Sequence, residues 1–122
     1  LALVTSRLDG DTFACIDNGR HVRVAEIQAA ERGQPLYIEA RNKLRELVND
    51  QQLLCVETGI NQGRIVAVCL RYKDGLDVGR TMIQHGLARR CPIFGDRYAE
   101  VQEGPGAHRI PLPLFCTAPR EL

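Results

Sequence analysis

Strand-like segments joined as hairpins, with one helix between the third and fourth, predict an α+β, mainly β domain. The expected form is a five-stranded Greek-key barrel of the OB type with two to three helices. Three observations carry this expectation. Short β-branched runs are bounded by Asp-Gly and Asn-Gly pairs. One stretch of helical period follows the third run. The 122 residues suffice for a single core. On composition alone, any α+β domain with a five-stranded sheet would serve. Apolar content of 44% and charged content of 25% are ordinary for a globular protein. No apolar run is long enough to cross a membrane.

The elements follow in order. Residues 2–6 read as a strand, and Asp9-Gly10 as a turn. Residues 12–17 form the second strand, closed by the hairpin pair Asn18-Gly19. Residues 20–27 form the third, with Val22 and Val24 on one face and Arg23 on the other, away from the core. Residues 29–35 are a loop. Over 36–49 the apolar positions Tyr37, Ala40, Leu44, Leu47 and Val48 trace one helical face, and Glu39 and Lys43 form an i,i+4 pair. Residues 53–58 and 64–71 make a hairpin around the three-residue loop Asn61-Gln62-Gly63. Asp77 caps a helix over 78–85 that stops at Gly86. Asp96 caps a further short helix ending near Glu103. After Gly104-Pro105-Gly106 the chain is extended and irregular. The whole of 1–122 reads as one domain, with a core over about 4–90 and a tail over about 104–122.

Charged residues are dispersed along this frame: Asp9-Gly10-Asp11-Thr12, Arg23, Glu31 and Gly63-Arg64. Arginine forks hold phosphate oxygens, a glutamate can take a proton from water, and turn carboxylates can hold a hard cation. Their order continues through Val22-Arg23-Val24, Ile27, Glu31, Glu39-Ala40, Gly63-Arg64-x-x-Ala67, Asp74-Gly75 and Gly86-Leu87-Ala88. This set resembles the micrococcal (staphylococcal) nuclease, or thermonuclease-like, domain family from about Val4 to Arg89. The resemblance implies the same OB-type barrel. It implies a metal-dependent endonuclease acting on DNA, RNA or both, cleaving on the 5′ side of the phosphodiester to leave 3′-phosphates. Arg23 and Arg64 would contact the scissile phosphate, and Glu31 would orient or deprotonate the attacking water. Asp11 would bind a divalent cation, Ca²⁺ in the family with Mg²⁺ or Mn²⁺ as alternatives, and Asp9 would stand behind it.

The chain departs from the family pattern at specific points. The family loop Ile/Val-Asp-x-Pro-Glu reads Ile27-Gln28-Ala29-Ala30-Glu31 here, so a carboxylate metal ligand has become the amide of Gln28. One negative charge is lost, which lowers calcium affinity, and the missing proline loosens the loop. The aromatic residue before Gly-Arg is Gln62, the basic loop shrinks to Arg32-Gly33-Gln34, and the final family helix is cut short at Gly104. Tyr98 is the remaining candidate for stacking against substrate. These losses sustain an alternative: a degenerate domain that binds nucleic acid or a protein partner without cleaving it.

Five cysteines in so short a chain favour an oxidising compartment, hence a periplasmic or secreted protein whose leader lies outside this sequence. Counting outward from Gln62 sets Cys55 opposite Cys69, within disulfide reach. Cys116 is expected to tie the tail to Cys91, leaving Cys15 as the odd thiol. No zinc-ligand spacing occurs, and His21, His85 and His108 are scattered. A net charge of +1 argues against a strong nonspecific nucleic-acid binder, while leaving room for a local basic site. The expected partner is a nucleic-acid substrate, with no membrane, and the expected state is a monomer.

Overall fold

The computed structural model describes residues 2–15 and 19–117, with side chains from Asp9 onward. The second half of the Asn18-Gly19 turn is described, and Asn18 lies outside the described residues. The strands are β1 (Ala2–Asp9), β2 (Thr12–Cys15), β3 (His21–Val24), β4 (Ile27–Gln28), β5 (Gln52–Asn61), β6 (Arg64–Arg71) and β7 (Arg89–Arg90). The helices are α1 (Tyr37–Val48) and α2 (Val78–Gln84). β1, β2, β3, β6 and β5 pair in that order and return to β1, giving a barrel-like ring. β3 and β6 run parallel, with Arg23 beside Val66, and the other contacts in the ring are antiparallel. The β1–β5 contact is short, Ala2 to Leu53 and Leu3 to Gln52.

The helical face read from the sequence is the face that packs. Tyr37, Ala40, Leu44, Leu47 and Val48 of α1 are buried. Most of them join Phe13, Val24, Leu53, Met82 and Ile83 in the main core. Each such large apolar side chain contributes about 1.5–3 kcal/mol on burial. Asp77 caps α2 as expected, accepting from the Arg80 N–H at 3.1 Å, and Gly86 follows with φ 71°.

Several elements differ from the sequence reading. The third strand stops at Val24. Glu26 takes a left-handed φ of 67°, and the chain then turns into the two-residue β4, which pairs with β7. The expected helix over 96–103 is a run of turns, with Ala99 and Val101 donating to carbonyls three residues back. Glu26 captures the Arg97 N–H at 3.0 Å, and the Tyr98 hydroxyl is drawn to Asp77. Those contacts hold the backbone out of helical register. Lys43 pairs with Glu46 rather than Glu39.

The β5–β6 loop has two residues, not three. Asn61 faces Arg64, and Gln62 and Gly63 both have positive φ, 52° and 78°, the twist that suits a two-residue hairpin. Cys55 still faces Cys69, because a bulge leaves Thr58 without a cross-strand partner and restores the offset. Both expected disulfides are present, Cys55–Cys69 and Cys91–Cys116. Cys15 is a buried thiol outside them. The tail is not wholly irregular. It makes 3-10 turns at Ala107–Arg109 and Leu114–Thr117, and Ile110 packs with Ala30 and Tyr37.

Candidate active site

The turn between β1 and β2 is an Asx turn, in which the Asp11 N–H donates to Asp9 Oδ1 at 3.2 Å. Gly10 is required at its centre. A Cβ there would lie 2.8 Å from the Cβ atoms of both Ala29 and Ala40. The acidic turn is thereby pressed against α1 and against the loop that carries Glu31.

Strand pairing supplies the rest. Thr12 on β2 faces Arg23 on β3, so Arg23 emerges beside the acidic turn. It leaves the core face as expected but not the protein interior, being only 9% exposed. Its guanidinium donates to the Val24 carbonyl at 3.1 Å and to Gln28 Oε1 at 3.3 Å, and pairs with Asp11 Oδ2 at 3.5 Å. Three such contacts leave part of the five-donor fork for another acceptor. Arg64, at the start of β6, donates to Thr12 Oγ1 at 3.3 Å, and Thr12 in turn donates to Asp11 Oδ1 at 3.0 Å. Arg64 is further fixed by Asn61 Oδ1 and Gln62 Oε1. Asp11 therefore links the two arginines, one directly and one through a hydroxyl.

Glu31 lines the same cavity as Asp11 and both arginines and is exposed. Its backbone N–H donates to Gln34 Oε1 at 2.7 Å, which shapes the loop in place of the missing proline. Asp9, Asp11, Arg23, Gln28, Glu31 and Arg64 all line one cavity of about 690 Å³. Burial and the neighbouring Asp11 push Asp9 up to about 6, partly offset by Arg64. Two crowded oxygen ligands with an amide oxygen nearby are the donor chemistry of a hard divalent cation that keeps water in its shell. Gln28 is a poor third donor, since its oxygen already accepts from Arg23 and its Nε2 donates to the Ala29 carbonyl at 3.1 Å. Among the described residues no cluster of three or more His, Cys, Asp or Glu could hold a metal on its own.

Tyr98 is not at the cavity. It is 1% exposed, packs against Gly79 and donates to Asp77 Oδ1 at 2.7 Å; burial and that carboxylate push its hydroxyl pKa up. Besides the buried Tyr37, the aromatic surface comes from Phe94 and Phe115, whose rings lie 5.9 Å apart and line the cavity. Sequence reasoning missed both. The Cys91–Cys116 link was the available signal, because it brings the neighbours of each cysteine together.

The site is a carboxylate- and arginine-lined cleft with the groups needed to hold an oxyanion and activate water. No family model matches the chain. The chain is similar to a micrococcal nuclease from Shigella flexneri, 32% identical over 98 residues. That match covers 72% of this chain and 56% of the relative, so the chain spans little more than half of that protein's length. The two are distantly related.

Proposed function

We propose that this protein is a metal-assisted phosphodiesterase, an endonuclease acting on DNA, RNA or both. The observation that carries the reading is the convergence of Arg23, Arg64, Glu31, Asp11 and Asp9 on one cleft. The similarity to a micrococcal nuclease supports it, and the paired strand ring agrees with a Greek-key barrel of the OB type.

In this mechanism Arg23 and Arg64 bind the non-bridging phosphate oxygens. Attack at phosphorus builds charge on those oxygens, and prepositioned guanidiniums stabilise it more in the transition state than in the ground state. Glu31, exposed in the cleft, takes the proton of the attacking water. Asp11 and Asp9, with Gln28 Oε1 as a weak neutral donor, would hold a divalent cation, Ca²⁺ or else Mg²⁺ or Mn²⁺. When bound, such an ion supplies Lewis-acid polarisation of the phosphate. The Asp11 carboxylate also keeps Arg23 aimed into the cleft. The two disulfides suit an oxidising compartment, periplasmic or extracellular, and we take the acting unit to be a monomer.

One observation favours a second reading, a domain that binds nucleic acid without cleaving it. Gln28 replaces a charged ligand and spends its oxygen on Arg23. Incubation with single-stranded DNA in Ca²⁺, Mg²⁺, Mn²⁺ or chelator separates the two. Metal-dependent cleavage that falls about 100-fold or more in Arg23→Ala and Glu31→Ala supports the nuclease. Binding without cleavage in every metal overturns it in favour of the second reading.

A further inference from the structure

Arg71, Arg80, Arg89, Arg90 and Arg97 each pair with a carboxylate. Among the described residues, Arg32 and Arg41 do not. Both turn instead to one ring. The Arg32 guanidinium lies 5.8 Å from the centroid of Tyr37, and that of Arg41 lies 5.9 Å from it. The ring attracts each cation and so gathers two like charges that would otherwise repel. Arg32 is exposed, and Arg41 is half-buried. The Arg41 Nε is buried and has no acceptor. A buried N–H left unpaired is costly, and here it belongs to a cation. The fold therefore creates a demand for an anion that it does not itself meet.

The place of the pair gives that demand a direction. Tyr37 and Arg41 are neighbours on one face of α1, a turn apart. Ala40 beside them packs against Gly10 at the centre of the acidic turn. Arg32 follows Glu31 in the preceding loop, and it forms no ion pair with that carboxylate. Glu31, Arg32 and Tyr37 all line the cleft that holds Arg23 and Arg64. A strand with one phosphate on Arg23 and Arg64 meets further cations where it continues past Glu31.

We propose that Arg32 and Arg41, gathered on Tyr37, form a second phosphate site: it holds the next phosphate of the strand, on the side of the nucleoside that keeps the scissile phosphate. The inference rests on the phosphodiesterase reading and extends it from one phosphate to two. The side follows from in-line displacement. Water activated by Glu31 enters at phosphorus opposite the leaving oxygen, so the departing nucleoside moves away from Glu31. The nucleoside that stays lies toward Arg32. A guanidinium holds phosphate oxygens and reads no base edge there, so the second site is indifferent to sequence.

The test uses a dinucleoside monophosphate and its two derivatives with one extra phosphate, at the 5′ or the 3′ end. The products show which nucleoside keeps the scissile phosphate. An extra phosphate at that end is expected to lower the wild-type KM about fivefold. Arg41→Gln is expected to abolish the gain while leaving KM and kcat for the parent dinucleoside unchanged, which also reports an intact fold. Arg32→Gln should reduce the gain. Arg41→Lys keeps the charge and should restore part of it, which a merely structural role for Arg41 would not do. A wild-type protein that cleaves but gains nothing from the extra phosphate at that end overturns the second site and leaves the phosphodiesterase standing. So does a gain that survives in Arg41→Gln, or an Arg41→Gln variant that raises KM equally for all three substrates. Binding without cleavage moves the comparison to Kd. There an extra phosphate at one end alone should tighten binding and Arg41→Gln should erase the effect, whereas tightening at both ends or neither overturns the site. A wild-type protein that neither binds nor cleaves any of the three overturns both readings.

Discussion

Asp11 accepts from Thr12 on one oxygen and pairs with Arg23 on the other, so its role reaches beyond that of a turn residue. Asp9, beside it, bears the cost of that arrangement. Its carboxyl is pushed from 3.8 to about 6 by burial and by Asp11. The folded state therefore holds the Asp9 proton more tightly than the unfolded chain does. The stability this contributes is complete below about pH 4 and is lost as pH rises through about 6. Asp9→Asn should remove the loss. Thermal melts in chelator should show the variant more stable than wild type at about pH 8, by about 1 kcal/mol after allowance for partial solvation, and equal to it at about pH 4. A variant less stable than wild type at the higher pH would contradict this account. Arg64 tests geometry rather than charge. Arg64→Lys keeps the cation but loses the fork that spans Thr12, Asn61 and Gln62, and kcat should fall by about tenfold or more with folding intact. Steady-state kinetics beside a circular dichroism spectrum would check both halves.

At the scale of elements, α2 depends on a single carboxylate. Asp77 caps the helix, accepts from the buried Tyr98 hydroxyl and pairs with Arg97 at 3.1 Å. Asp77→Ala should cost about 2–4 kcal/mol, about 1 for the cap and about 1–3 for the stranded hydroxyl, measured by urea unfolding. A loss near zero would mean that water replaces every contact. The cap was legible in the sequence, as was the buried face of α1, because each is encoded within a few residues. The bounds of β3 were not. Two-residue strands such as β4 and β7 carry no periodicity, and what separates β4 from β3 is a left-handed Glu26 whose carboxylate serves a segment 71 residues away. The false helix after Asp96 failed for the same reason, since a local cap signal lost to contacts made from distant elements. In the candidate site, turn chemistry marked Asp9 and Asp11 only as turn residues and strand parity gave only that Arg23 leaves the core face; the family resemblance is what set them together. The burial of Arg23 was not legible, because it depends on Gln28 and Phe94 closing over it.

Across the whole molecule, the tail completes the cleft. Cys91–Cys116 anchors a segment whose Phe115 stands against Phe94, and Arg89 secures it again by donating to the Ile110 carbonyl at 3.2 Å. Cys116→Ser should lower stability by about 3 kcal/mol, as expected for a loop of this size. It should also raise KM for nucleic acid by releasing Phe115. Calorimetry with a parallel KM measurement would check this, and an unchanged KM would show that the tail is only a brace. Phe94 and Phe115 escaped sequence reading because nothing local announces where a tail will land. The bulge at Thr58 has a different consequence, one for chain length. Thr58 is the residue of β5 that faces no partner, so deleting it removes the bulge while Cys55 stays opposite Cys69. Deleting Val66, its neighbour across the ladder, shifts every later pair and parts the cysteines. Length variation among descendants of this sequence should therefore collect at Thr58 and be purged from β6, and mass spectrometry of the two single-residue deletions would show an intact Cys55–Cys69 link only in the first.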